Sequence, residues 1–459
     1  MLYAIRVTQK HLKNGMINLY YDRITDGLPC PNGIDFISYT DNAYRIPIVK
    51  KQFKNGTPII PYTEFYFIMK FTKTPVKLFT GTQKAKNLFY PIELNEAHTV
   101  NSFGLTSLIK PKVKNKIKKG AYKLLLICNK ILHTNYSMAI LKEKIEELVD
   151  SGISKDNIYI LISDVNVSYK NFLNMPNVFG IDWQQIYTQV SYKARYEDSS
   201  IQHFFPFDST MHYSNNEEKE KELFNVKDWK PKKLFTALTH KQRPWDISLI
   251  IELLYHNLED NGTWYFNKDT YNLPERLGDV MDLKLPMQEY SKKQQILKEL
   301  KTKDVFVPDN DKLKFDNSIY HNSLFNIISD DLAPINYSSY PNSILVTAPG
   351  INIWRQIAQG HPFVILGNLN AMQYLNNQGY FSYNELIYHN FDGITYTPKK
   401  VKFLVEEIKR LSLKSDNEIE QIKSNIISYA QKNKEKFFNK DHSRVFWQLF
   451  IDMRYEPVV

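Results

Sequence analysis

Apolar and polar positions follow two different periods along this chain, and the change between them divides it. Over the first ~110 residues the apolar side chains come in short aromatic or β-branched runs, at 17–21, 36–39 and 65–69. Turn signals such as Pro31-Asn32-Gly33 and Lys54-Asn55-Gly56 separate these runs, and no helical period is sustained, which predicts a β-rich segment over residues 1–115. The pattern changes at Gly120. Residues 122–128 have the composition of a buried strand, and 129–135 form a loop. Residues 136–150 follow a helical period, with Ile140, Leu141, Ile145 and Leu148 on one face. Ser151-Gly152-Ile153 stops that helix before a second strand at 158–164 and a shorter third at 178–182. Strand, helix and strand at this spacing form a βαβ unit with a right-handed crossover. The expectation is a Rossmann-like domain over 116–225.

A polar stretch over 209–230 marks a boundary, after which the same alternation resumes. Strands are predicted at 232–238, 263–266, 324–330 and 362–367, with a helix over 245–258. The last of these strands follows an amphipathic run around Ile353 to Ile357 and the turn Gly360-His361-Pro362. A further run starts at Met372. Helical patterns cover 400–413 and 419–438, and an amphipathic piece covers 445–451. The reading is a second Rossmann-like domain over 226–430 and a helical tail over 431–459. The fold class is therefore α/β, with two Rossmann-like domains, a β-rich N-terminal segment and a ligand cleft between the domains. In open α/β sheets, ligands bind at the carboxyl ends of the strands.

Composition adds bounds to this picture. Hydrophobic content of 43% with 24% charge describes a globular chain. Two cysteines, Cys30 and Cys128, are too few for a disulfide framework, and a reducing, cytoplasmic setting is the simplest expectation. Residues 1–7 alternate like a strand and lack a signal-peptide core, and no apolar run approaches the ~18 residues of a membrane span. Lys, Asn, Ile and Tyr are used heavily while Gly is scarce, a bias of AT-rich coding genomes such as those of many phages. The net charge of +10 favours polyanionic partners, and residues 97–142 hold nine lysines and no acidic residue. Lys110, Lys112, Lys114, Lys116 and Lys118 alternate, so on an extended segment they would share one face. Such a stripe suits either double-stranded DNA phosphates or a solvated linker.

The chain matches no P-loop, dinucleotide-binding glycine motif, nucleophile elbow or zinc helix. Phosphate binding would therefore come from side chains and helix N-termini. Thr239-His240-Lys241-Gln242-Arg243-Pro244 lies between a predicted strand and helix, where Thr239, Lys241 and Arg243 could meet a diphosphate or form an exposed turn. Ser329 and Asp330 end a strand, where they could hold ribose hydroxyls or cap a turn. Thr347 to Arg355 lead into a helix whose arginine either faces the cleft or is solvated. In the first domain, His133 and Asp164 occupy strand-end loops and are the candidates for a general base.

Five segments together carry a resemblance: the basic loop at 239–243, Ile327-Ile328-Ser329-Asp330, Trp354 through Phe363, Met372 through Tyr383, and Asn390-Phe391-Asp392. They resemble the nucleotide-sugar-binding domain of viral and bacterial glycosyltransferase-like proteins of the two-Rossmann, GT-B type. The likeness is closest over 324–411, extends more weakly back to 232, and does not cover residues 1–120. Asp330 stands where that family has Glu, and Ile351-Asn352 where it has a Glu-Lys pair. The resemblance implies transfer of a sugar from a nucleoside-diphosphate donor to an acceptor hydroxyl, with no catalytic metal and no cofactor beyond the co-substrate. Lys241, Arg243 and Arg355 would then face the diphosphate and Asp330 the ribose. With the lysine-rich segment and the phage-like composition, a hydroxymethylated base in DNA is the favoured acceptor. Two other classes stay open: a catalytically degenerate relative that binds DNA, and a virion or assembly protein.

Overall fold

The strand runs pair into two all-parallel sheets in a computed structural model of the chain. The structure describes residues 17–20, 76–79, 88–95, 105–109, 111–130, 135–162, 168–186, 188–189, 226–238, 244–265, 273–279, 285–302, 321–329, 349–366, 370–388, 392–394, 397–442, 445 and 449. The strands expected at 36–39 and 65–69 lie outside these residues, as does most of 445–451. The chain divides into two compact units, one of Met1–Met211 with Lys440–Val459, the other of His212–Asn439.

The sheet of the first unit has six strands among the described residues: β1 (Ile17–Tyr20), β2 (Val76–Phe79), β3 (Leu88–Asn95), β4 (Tyr122–Lys130), β5 (Ile158–Ile162) and β6 (Val178–Gly180). Their order is β2-β1-β3-β4-β5-β6. β3 pairs with β4 in register from Leu88↔Tyr122, so one sheet runs through residue 115, the end of the expected N-terminal segment. The central strands are apolar on both faces, and all five residues of β5 are buried, as parallel strands covered on both sides require. The described helices are α1 (Leu105–Leu108), α2 (Pro111–Lys118), α3 (Asn135–Asp150) and α4 (Ser168–Leu173). Leu141, Ile145 and Leu148 of α3 are buried on the face that the period predicts.

The lysine-rich segment is not extended. Residues Pro111–Lys118 form α2, because Val113 and Ile117, four apart, both bury against the sheet. On a helix, side chains two apart diverge by about 200°, so the alternating lysines do not line one face. Lys112 and Lys118 are exposed, while the Lys116 ammonium donates to the Tyr122 hydroxyl at 2.7 Å. Buried Gln189 donates from Nε2 to the Lys440 carbonyl at 3.1 Å across 251 positions, within the first unit.

The second unit holds β7 (Lys233–Leu238), β8 (Gly262–Tyr265), β9 (Ser323–Ser329) and β10 (Phe363–Leu366) in the order β10-β9-β7-β8. Its described helices are α5 (Pro244–Tyr255), α6 (Met287–Thr302), α7 (Ile351–Gln359), α8 (Ala371–Asn377), α9 (Thr397–Ser412) and α10 (Asp416–Asn439). The chain leaves β7 for β8 on one side and continues from β9 to β10 on the other. Right-handed crossovers in opposite directions put α5 and α7 on opposite faces. The packing agrees, with α5 against α6 and α9, and α7 against α10. Trp354 of α7 is fully buried, its ring 6.0 Å from that of Phe437 and 5.5 Å from that of Tyr380.

Gly360 ends α7 at φ +80°, its N–H donating to the Gln356 and Ile357 carbonyls. A left-handed residue there closes the last turn and releases the chain into β10. His361 is fully buried, edge-on to Trp229. Among the described residues no helix is long and apolar enough to cross a membrane.

Candidate functional site

Reversal of the winding direction between β7 and β9 makes their carboxyl edge a topological switch point, the position where open α/β sheets leave a crevice. Three described features meet that edge. α5 begins there with Pro244 as its first residue, a position where the missing N–H costs nothing. α7 begins there after Gly350, which has an extended conformation and, as glycine, no side chain to cap the first turn. α8 begins there beyond the end of β10.

Ser329, the last residue of β9, is held in place. The Trp245 indole N–H in the first turn of α5 donates to its Oγ at 2.8 Å, which ties the start of α5 to the end of the neighbouring strand. Asn326, three residues earlier, donates from Nδ2 to Gln356 Oε1 at 3.1 Å in a buried contact that fixes α7 against β9. Arg355 is partly buried, and its Nη1 donates to Asn352 Oδ1 at 3.4 Å. The guanidinium is thereby drawn back one turn towards the N-terminus of α7. Helix N-termini carry partial positive charge, so Arg355 adds to a field that already favours an anion.

Of the residues singled out from the sequence, Ser329 and Arg355 are described: Ser329 ends β9 at this edge, and Arg355 lies in the second turn of α7. Thr239, Lys241, Arg243, Asp330, Thr347, His133 and Asp164 lie outside the described residues. The sequence brackets several of them all the same: 239–243 join β7 to α5, and Asp330 and Thr347 fall between β9 and α7.

The structure adds charged residues that the sequence did not single out as site residues. Asp246 is almost completely buried (1% exposed) in the first turn of α5, where the helix field favours a carboxylate. Asp392 caps α8 from a distance in sequence, accepting from the Met372 N–H at 3.1 Å and the Gln373 N–H at 3.2 Å. Asn370, at the N-cap position itself, makes no side-chain cap. Burial pushes the Asp392 carboxyl above the usual carboxylate range, and the Gln373 N–H, the nearby Lys400 ammonium and the Met372 and Ala371 N–H groups oppose that shift. Burial likewise lowers Lys400, opposed by Asp392. A helix-start signature, Pro244 followed two residues later by Asp246, could have marked Asp246. Nothing local in the sequence marks Asp392 as a cap, because it lies 20 positions from the helix that it closes.

No family model matches this chain, and no curated protein matches it either.

Proposed function

We propose that the chain is a GT-B-like glycosyltransferase that takes a nucleoside-diphosphate sugar at the β7–β9 switch edge. The observation that carries this reading is Arg355, whose Nη1 donates to Asn352 in the first turn of α7, the helix that Gln356 ties to Asn326 of β9. A helix N-terminus and a guanidinium at a switch point suit a diphosphate. The residues between β7 and α5 add Lys241 and Arg243 in sequence. The resemblance of residues 324–411 to sugar-nucleotide-binding domains supports the same ligand.

In this reaction the acceptor oxygen forms a bond to the anomeric carbon as the bond from that carbon to the diphosphate oxygen breaks. The acceptor proton passes to a base, for which His133 and Asp164 are the candidates, and the nucleoside diphosphate leaves. Negative charge grows on the leaving diphosphate, and cations and N–H dipoles placed there in advance lower the barrier. Lys241, Arg243 and Arg355 take that role, in place of the Glu-Lys pair that Ile351-Asn352 does not supply. Ser329 and Asp330 hold the ribose, and Thr239 and Thr347 flank the phosphates. A hydroxymethylated base in DNA is the acceptor class that the basic composition favours.

Thermal melting against a panel of nucleoside-diphosphate sugars tests the reading, since a ligand bound only by the native state raises the midpoint. One sugar nucleotide should raise it in the wild type and not in Arg243→Ala. No shift with any of them would overturn the assignment.

A further inference from the structure

Residues 380–388, between α8 and α9, turn two aromatic rings outward in the second unit, and each of the two has a cation beside it. Phe381 is 44% exposed and Tyr388 is 56% exposed, although rings of this size usually bury. Phe381 stacks on Tyr429 of α10 with ring centroids 5.3 Å apart and planes 6° from parallel. The Lys432 ammonium lies 5.4 Å from the Phe381 ring centre and the Arg410 guanidinium 5.3 Å from the Tyr388 ring, while Lys436 lies 5.8 Å from the ring of Tyr380, which is buried.

The backbone under these rings is clamped. Asn433, almost completely buried, accepts from the Phe381 N–H at 2.7 Å and donates back to the Phe381 carbonyl at 3.0 Å. Its amide also donates to the Tyr383 hydroxyl at 3.3 Å. Arg410 Nη2 donates to the Leu386 carbonyl at 2.9 Å and so holds the far end of the loop. Tyr429 donates its hydroxyl to Glu385 at 3.1 Å, which fixes the lower ring of the stack. The exposed rings are therefore presented in place and need little further ordering when something docks on them.

We propose that this loop and the facing side of α10 form a stacking platform for single-stranded nucleic acid. A base has a π-face to lay on Phe381 and on Tyr388, and its phosphates are anions for Lys432 and Lys436, which make no ion pair among the described residues. Aromatic faces interleaved with cations are how single strands are bound without regard to sequence. A protein partner fits less well, because the centres of protein interfaces are depleted in lysine, and Lys432 stands beside the exposed Phe381 ring. Of the nearby carboxylates, Glu385 is engaged by Tyr429 and Glu407 pairs with Arg410 at 2.9 Å. The platform does not depend on sugar transfer.

Fluorescence anisotropy of a labelled oligo-dT of about 20 nucleotides with the full chain tests the proposal. The wild type should bind, less tightly as salt rises. Phe381→Ala and Tyr388→Ala should each weaken binding about ten-fold, in line with the loss of one stacked base. Phe381→Trp should bind like the wild type, and Lys432→Gln with Lys436→Gln should flatten the salt dependence. Both rings are exposed, so the alanine variants should melt close to the wild type, and that comparison separates lost binding from lost folding. Three results would overturn the proposal: no binding by the wild type, full binding by Phe381→Ala, or a duplex that competes as well as the single strand. Self-association that depends on Phe381, without oligonucleotide binding, would make the surface a contact between copies of the chain and would equally overturn it.

Discussion

The Lys293 ammonium lies 2.6 Å from Glu252 Oε1 and 2.7 Å from Glu289 Oε1, with no solvent exposure at all. It joins α6 to α5 from within the layer that covers one face of the second sheet, 4.6 Å from the centre of the Tyr255 ring. α5 and α6 also share a buried apolar cluster that includes Ile247, Ile250, Ile251 and Leu297. Lys293→Met would leave Glu252 buried without its counter-charge. Loss of one partner of such a pair costs about 3–5 kcal/mol. Urea denaturation should show that loss, and Lys293→Met with Glu252→Met should recover most of it.

The same cluster sets a pH dependence. Burial holds the His256 imidazole below its ordinary range, although Glu252 and Glu406 pull it the other way. The hydrogen bond from Lys293 holds the Glu289 carboxyl below the usual carboxylate range. In both cases the unfolded chain takes up its proton at a higher pH than the folded one. Stability should therefore fall on acidification, first through the histidine range at about pH 6.5 and then through the carboxylate range at about 4.3. Urea midpoints measured from pH 8 to pH 5 should decline in the wild type and decline less in His256→Gln.

Gly262, the first residue of β8, is a glycine for lack of space. A Cβ there would lie 2.3 Å from two ring carbons of Phe235, which is fully buried in the neighbouring strand. The ring has no free direction in which to retreat. Gly262→Ala should destabilise the second unit by about 1–3 kcal/mol, the usual cost of overfilling a packed core. Chemical denaturation checks the value.

Arg355 is predicted to act on ligand binding more than on folding, since it is partly exposed and its described bond is to Asn352 on its own helix. Arg355→Ala should melt within a few degrees of the wild type yet bind the preferred sugar nucleotide about ten-fold more weakly, as loss of a charged hydrogen bond of about 1.5–3 kcal/mol implies. Calorimetric titration separates the two effects. Unchanged affinity would remove Arg355 from the site.

Cys128 lies in the middle of the first sheet, 1% exposed, and burial pushes its thiol far up from its ordinary range. In a Cys30→Ser background, iodoacetamide should leave Cys128 unmodified under native conditions and modify it once the first unit unfolds. Mass spectrometry across a urea series would then report that unit's opening alone.

The buried parallel strands were legible because they are continuous apolar runs, and β4, β5, β7, β9 and β10 all stand within two residues of their predicted starts. α6 was not legible. Its inward face is Lys293, Leu297 and Leu300, and a lysine in the apolar stripe hides the helical period. β3 was hidden by Pro91, which argues against an interior strand, yet Pro91 pairs with Leu125 in the ladder. The lysines of α2 suggested an alternation of two, when the informative spacing was Val113 to Ile117. At the candidate site, Ser329 and Arg355 could be found because strand ends and helix starts are local signals. Asp392 was marked only through the Asn390-Phe391-Asp392 resemblance, and its capping role was not legible, because its partners are set by how the chain returns to α8.

The hydrogen bond from Gln189 to the Lys440 carbonyl sets an order of assembly on the ribosome. Everything between those two residues must be synthesised before the contact can form, and that interval contains the whole second unit. Units of a growing chain fold as they emerge. The second unit is continuous in sequence and ends at Asn439, whereas the first, although begun earlier, takes its last residues from Lys440–Val459. The part of the protein made first is the part completed last.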